Sequence, residues 1–449
     1  MSAIHLFTDK EHTLAHATLA TGLCVPGAQQ LEVCPDAHTG FMGFGVAITP
    51  ASCYELSQLP PAERKALLQK LYGKEGLGLS VARLCIGSSD YAPALYSYDD
   101  EAFDVELTHF SVARDEEFII PILREILAIN QGLYLFASPW SPPYWMKTGG
   151  SMCGGYMRDE FLDCYAEYII KFIKAYEGYG IRVRAITPQN ETNTQQRGRM
   201  PACIWHPETE AAFVKLLREK LSAREMDVRI WMYDHNFDDT ERVLWSLQHC
   251  EGLSDACDGV AFHYYGGAIE CTAKITDNFP EMALHFTEGG PRLNDHYDTD
   301  FCKWGLMICR ALRLGYRSFT GWNLMLNDLG GPNIGPFLGT CGGLVTRSVT
   351  DGALSFSGQY KALSHIAPHV TTSSRISAIA PDKYFGQDIS KFPAYVHGVE
   401  GILIDNAERG RVAVLINQNP KGVQVQFTLQ GIPHYLEMRP ESISTVFLS

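Results

Sequence analysis

Residues 40–48 read "GFMGFGVAI", three glycines running into an apolar strand, and the meaning of those glycines decides the fold. A doubly wound nucleotide-binding sheet needs GxGxxG or GxxxxGK[ST] after an early strand, so that backbone N–H groups cradle a phosphate. Neither pattern occurs in the chain, and Gly40, Gly43 and Gly45 are read instead as a turn into the first strand. From there, apolar runs of strand length alternate with stretches of helical period. The strand candidates are "GFGVAI" (43–48), "LSVARLCIG" (79–87), "LYLFASPW" (133–140), "VRAITPQNE" (183–191), "RIWMYDH" (229–235), "GVAFHYY" (259–265), "ALHFTEGG" (283–290) and "SFTGWNLML" (318–326). Between them, "PPAERKALLQKLYG" opens on a proline pair suited to a first turn. "HPETEAAFVKLLREKLSAREM" carries acids early and bases late, matching the helix dipole. Eight buried strands alternating with helices predict an α/β fold, a (β/α)8 TIM barrel.

After about residue 365 the pattern changes to period-two alternation with Asn, Pro and Gly turns: "RISAIA", "AYVHGVEGILIDN", "RVAVLINQNP", "VQVQFTL", "HYLEMRP" and "STVFLS". That pattern predicts an antiparallel β-sandwich, which strand-like pieces of the first 40 residues such as "QQLEV" would join. The expected division is residues 1–40 and 366–449 in the sandwich, and 41–365 in the catalytic barrel.

The 449 residues are 46% hydrophobic and 20% charged, enough for a large core, and the net charge of −14 comes without a Lys/Arg cluster that could track a phosphate backbone. A nucleic-acid partner is therefore not expected, and a neutral or cationic small molecule is. No apolar run reaches membrane-spanning length. The opening "MSAIHLFTDKEHTLAHA" has no basic segment followed by an apolar one, and the thirteen Cys are scattered without a CxxC. These features are read as reduced thiols in a cytoplasmic protein. Cys203 with His206, and Cys302 with Cys309, lack second pairs, so no metal and no cofactor is expected.

Two strand candidates end on a glutamate, Glu191 and Glu288. An acid at the tip of an apolar strand costs desolvation unless it is paired, so a salt bridge to Arg83 or Arg184 explains either one alone. Two of them, at the tips of strands four and seven of one barrel mouth, fit glycoside hydrolysis: one carboxyl protonates the leaving oxygen and the other stabilises or attacks the anomeric carbon. Neighbouring strand ends offer groups to hold a sugar: Asp90, Trp140, His263, Tyr265, Trp322 and Asn323. Asp90 as a turn cap and His263 as a satisfied core histidine are the plain alternatives. Trp145 and the aromatic stripe over 161–176 are read as core.

The series "GFGVAIT", "RLCIGSSDY", "ASPWSPPYWMK", "TPQNE", "FHYY", "FTEGG" and "GWNLMLNDLGGPN" resembles glycoside hydrolase family 30, the family of lysosomal glucosylceramidase, over roughly residues 30–449. The resemblance implies a retaining double displacement with Glu191 as acid/base and Glu288 as nucleophile. It also implies Asn190 on the sugar 2-hydroxyl, Asp90, Trp140 and Trp322 around the nonreducing sugar, and Tyr265 beside the nucleophile. Asn-Glu-Thr replaces the familiar Asn-Glu-Pro, and Val46 replaces a Gly. The loop "TNTQQRGRMPACIW" (192–205), which should line the aglycone side, has no counterpart. The implied activity is that of an exo-acting β-glucosidase. β-Xylosidase, β-fucosidase and endo-β-1,6-glucanase are alternatives within the family. A silent carbohydrate-binding barrel and a metal-dependent hydrolase using Asp234, His235 and His263 are alternatives outside it.

Overall fold

In the computed structural model, which describes residues 4–18, 20–22, 24–381 and 398–448, eight parallel strands close into a barrel. They are β1 (Gly43–Ile48), β2 (Val81–Ile86), β3 (Tyr134–Pro139), β4 (Val183–Ile186), β5 (Arg229–Asn236), β6 (Gly259–His263), β7 (Ala283–Glu288) and β8 (Ser318–Gly321). Each pairs with its successor, and β8 pairs with β1. Helices follow the strands on the outside, among them Pro61–Tyr72 and Pro207–Ala223, where the two charge and proline signals had placed them.

Side chains two apart along a strand share a face, so the barrel lumen fills in layers. Val81, Phe136, Ala185, Trp231 and Ala261 form an apolar plug, with His285 stacked on Trp231 at 3.6 Å. Two residues further along each strand direction come Arg83, Ser138, Thr187, His263 and Thr287, a buried polar layer. On β5 the expected residue would be Tyr233, but the register slips between Tyr233 and His235, and Tyr233 and Asp234 adopt φ of 76° and 53°. This bulge turns Asp234 inward instead, and carries His235 to the rim beside it.

Two strands are shorter than the sequence suggests. β4 stops at Ile186, and the segment to Glu191 continues as a turn lashed to both neighbours, with Asn190 N–H donating to Pro139 O (2.8 Å) and Glu191 N–H to Asp234 O (2.9 Å). "SFTGWNLML" splits at Asn323, whose φ of 61° ends β8; Met325–Asn327 belongs to a separate three-stranded sheet.

Ten strands from both ends of the chain form one hydrogen-bonded system. Gln29–His38 joins its two halves, pairing antiparallel with Arg375–Ala380 and parallel with Val423–Leu429, so the second domain is not purely antiparallel. One face encloses its own core around Leu31, Leu403, Leu415 and Phe427. Through Ile402, Ile404, Val414 and Ile443 the opposite face continues the core of the barrel helices. The stretch 394–397, expected to begin one of these strands, lies outside the described residues; the strand runs Val399–Asn406.

Candidate active site

Asp234 organises the floor of the site. Its Oδ2 accepts from Arg83 Nη2 (2.7 Å), Ser138 Oγ (2.9 Å) and Thr187 Oγ1 (2.7 Å), and its Oδ1 from Thr287 Oγ1 (2.6 Å) and His263 Nε2 (3.0 Å). Burial alone would raise its pKa, but Arg83 and His263 outweigh this and hold the carboxyl far below its usual range. Arg83, fully buried, also reaches Asn190 Oδ1 (2.8 Å) and Glu288 Oε2 (2.5 Å), and its guanidinium lies 4.7 Å from the Trp140 ring.

Glu191 and Glu288 meet above this floor. One oxygen of each lies within 4.8 Å of the other and of a His263 nitrogen. Glu288 takes a second hydrogen bond from Tyr265 OH (3.0 Å), and Gly289 lets the chain turn there, since a Cβ would stand 2.8 Å from the Tyr264 ring. Glu191, with φ of 56°, accepts from the Gln196 amide and has His235 Nε2 and His263 Nδ1 each 3.6 Å from Oε1. Of the two arginines expected as salt-bridge partners, Arg83 pairs with Glu288, while Arg184 instead lies 5.7 Å from the Tyr134 ring.

The pair opens into a cavity of about 380 Å³, at the small end of ligand sites. Asp90, Trp140, Asn190, Tyr265 and Trp322 line it; Trp140 and Trp322 stack at 5.1 Å. Burial pushes Asp90 well up, with Glu288 and Glu191 adding to the effect. Two expected sugar ligands do not line this cavity. His263 is fully buried beneath the carboxylates, and Asn323 is buried with its Oδ1 accepting from Thr49 Oγ1 (2.9 Å). Arg292, Cys341 and Phe337 line the cavity without having been anticipated, while Thr194, Gln196 and Met200 come from the 192–205 loop that was expected on the aglycone side.

Glu191, His263 and Glu288 are also the one metal-like donor cluster among the described residues. A metal fits poorly there, because Arg83 already places a cation on Glu288.

Protonation divides the site. Burial lowers His263, yet Glu288, Asp234 and Glu191 together raise it to about 9, making it a cation at neutral pH. Burial raises Glu288, His263 and Arg83 oppose this, and a charged Glu191 raises it again. Burial would raise Glu191, but charge on His235 and His263, with the Gln196 bond, draws it down to about 2. That order is opposite to the one a catalytic acid at Glu191 requires, and it rests first on a charged His235. Burial pushes His235 itself below its ordinary value, while His263 remains a positive neighbour of Glu191.

The profile of the glycosyl hydrolase family 30 TIM-barrel domain matches residues 41–338. The chain belongs to glycosyl hydrolase family 30. Among family 30 relatives, it is 30% identical to lysosomal acid glucosylceramidase of Mus musculus over 65% of this chain and 61% of that protein. It is 29% identical to putative glucosylceramidase 4 of Caenorhabditis elegans, and spans about 60% of that protein's length. The endo-1,6-β-D-glucanase of Neurospora crassa is 26% identical over 87% of this chain and 80% of its own. In fold, SrfJ from Salmonella typhimurium superposes with a TM-score of 0.88 at 24% identity, covering 100% of this chain and 99% of that one. No helix among the described residues is long and apolar enough to cross a membrane, and all thirteen cysteines are free.

Proposed function

We propose that this family 30 protein is a retaining β-glycosidase that removes a single β-D-glucosyl unit from the nonreducing end of a small glycoside. The observation that carries this reading is the Glu191–Glu288 pair. Oxygens within 4.8 Å match the roughly 5–5.5 Å spacing of retaining enzymes and leave no room for the water that an inverting enzyme holds between its carboxyls. Glu288, held by Arg83 and Tyr265, attacks the anomeric carbon while Glu191 gives its proton to the departing oxygen. Glu191 then takes a proton from water, which displaces Glu288 and restores both groups. The small cavity, with Asp90 at one side and the stacked Trp140–Trp322 pair, suits one terminal ring.

Endo-β-1,6-glucanase activity is the second reading, favoured by fungal relatives of that name that align over more of this chain than the glucosylceramidases do. Aryl β-D-glucoside, xyloside, fucoside and galactoside, together with a linear β-1,6-glucan, separate these activities. Glucoside cleavage by the wild type, lost in both Glu191→Gln and Glu288→Gln, is the expected result. Oligosaccharides released from the glucan would establish the endo reading, and tight sugar binding without turnover would leave a carbohydrate-binding protein.

A further inference from the structure

Glu191 lies between two imidazoles that are wired differently. His263 donates from Nε2 to Asp234 and is surrounded by Glu288, Asp234 and Glu191. His235 is held by two amides. Asn193 Oδ1 meets its Nδ1, and Asn236 Nδ2 lies 3.4 Å from its Nε2.

Neither amide can turn round. Asn193 Nδ2 donates to Asp239 Oδ2 (2.6 Å), and a carboxylate only accepts, so Oδ1 must face His235. Asn236 Oδ1 accepts from the Tyr265 backbone N–H (3.1 Å), which only donates, so its amino group must face His235. An acceptor at Nδ1 and a donor at Nε2 fit one species, the neutral Nδ1–H imidazole. Its single Nε2 lone pair, shared with the Asn236 amino group at 3.4 Å, then lies 3.6 Å from Glu191 Oε1. A lone pair there attracts a carboxylic acid O–H and repels a carboxylate, and such bonds commonly tighten when substrate binds.

We propose that Asp239, Asn193 and Asn236 fix His235 as the neutral Nδ1–H tautomer, and that His235 is thereby a positioning residue keeping Glu191 in its proton-donating form. The inference rests on Glu191 being the acid/base. The ionisable groups facing His235 are Glu191, His263, Asp238 and Asp234. Those facing Glu191 are His235, His263, Glu288 and Asp90, alongside the Gln196 amide. During glycosylation the proton passes from Glu191 to the leaving oxygen and His235 stays neutral. In the second half its lone pair favours the return of a proton from water to Glu191.

The test uses the full-length enzyme. In 15N-histidine NMR near pH 7, the resonance lost in His235→Gln should be a neutral imidazole protonated at Nδ1; an imidazolium or an Nε2–H tautomer overturns the proposal. In kcat/KM profiles with phenyl β-D-glucoside, His235→Leu should move the alkaline limb to lower pH by about one unit. The 2,4-dinitrophenyl glucoside, which needs little acid assistance, should lose far less activity. Asp239→Asn, which frees the Asn193 amide to turn, should shift the limb the same way. An unmoved limb, or one moved to higher pH as loss of a cation would produce, refutes the role. Wild-type enzyme inert on every glycoside would instead defeat the glycosidase reading, and the NMR result would still decide the tautomer.

Discussion

Buried ions at the barrel mouth and at the junction between barrel and sheet domain are balanced differently. At the junction, Glu400 bonds Arg310 and Arg313, each at 2.6 Å, and Glu270 lies 3.6 Å from Arg310, so two acids meet two guanidiniums away from the cavity. At the mouth, Asp234 and Glu288 share the guanidinium of Arg83, while Glu191 and Asp90 face the same cavity, which Arg292 also lines. The junction is balanced for stability. At the mouth the acids are buried, crowd one cavity and share their cations, which pushes Asp90 up and Glu191 down.

Replacing one acid in each place should therefore have opposite consequences. Glu288→Gln should lower kcat/KM by on the order of 10⁵-fold, while its melting temperature changes little because Asp234 still pairs Arg83. Glu400→Gln should leave kcat/KM within about twofold but cost roughly 3–5 kcal/mol in denaturant unfolding, as breaking a buried ion pair does. Arg83→Met should lose both activity and a similar amount of stability, since it strips Asp234 and Glu288 together. If Glu288→Gln and Glu400→Gln resembled each other in both measurements, the comparison would fail.

How much of this was legible in sequence depends on what each residue reports locally. Barrel strands buried on both faces read as continuous apolar runs, and their order gave the fold. Glu191 and Glu288 stood out because acids interrupt those runs. Arg83 interrupts one as well, but a buried arginine is ambiguous until its partners are known. Asp234 and His235 were read only as ligands of an alternative metal site, because the bulge at Tyr233 that brings both beside the glutamates leaves no mark in the sequence. Asn323 misled, because its left-handed backbone turns the chain away from the cavity. Gln196 reaches Glu191 from a loop whose sequence carries no pattern at all.

Smaller effects sharpen the same contrast. His365, at the junction, is bonded to Thr8 and Thr445 at 2.7 Å each, and burial, aided by His369 and His5, pushes it down to about 3. A histidine depressed in the folded state stabilises fully above its unfolded value near 6.5 and loses that contribution as pH falls toward the folded value. Unfolding free energy should thus drop by on the order of a few kcal/mol between pH 7 and 4, and His365→Asn should flatten the slope in that window. Smallest of all, chelators should leave activity unchanged, because Arg83 provides the positive charge at Glu288; loss of activity with EDTA, restored by a divalent ion, would reassign the mouth to metal chemistry.

The most direct test of the central claim is mass spectrometry of the protein after reaction with 2,4-dinitrophenyl 2-deoxy-2-fluoro-β-D-glucoside, which slows release of a covalent intermediate. A glycosyl adduct on the peptide containing Glu288, absent in Glu288→Gln, is the predicted result. An adduct on Glu191 or any other residue, or turnover of aryl glucoside with inverted configuration and no adduct, would contradict it.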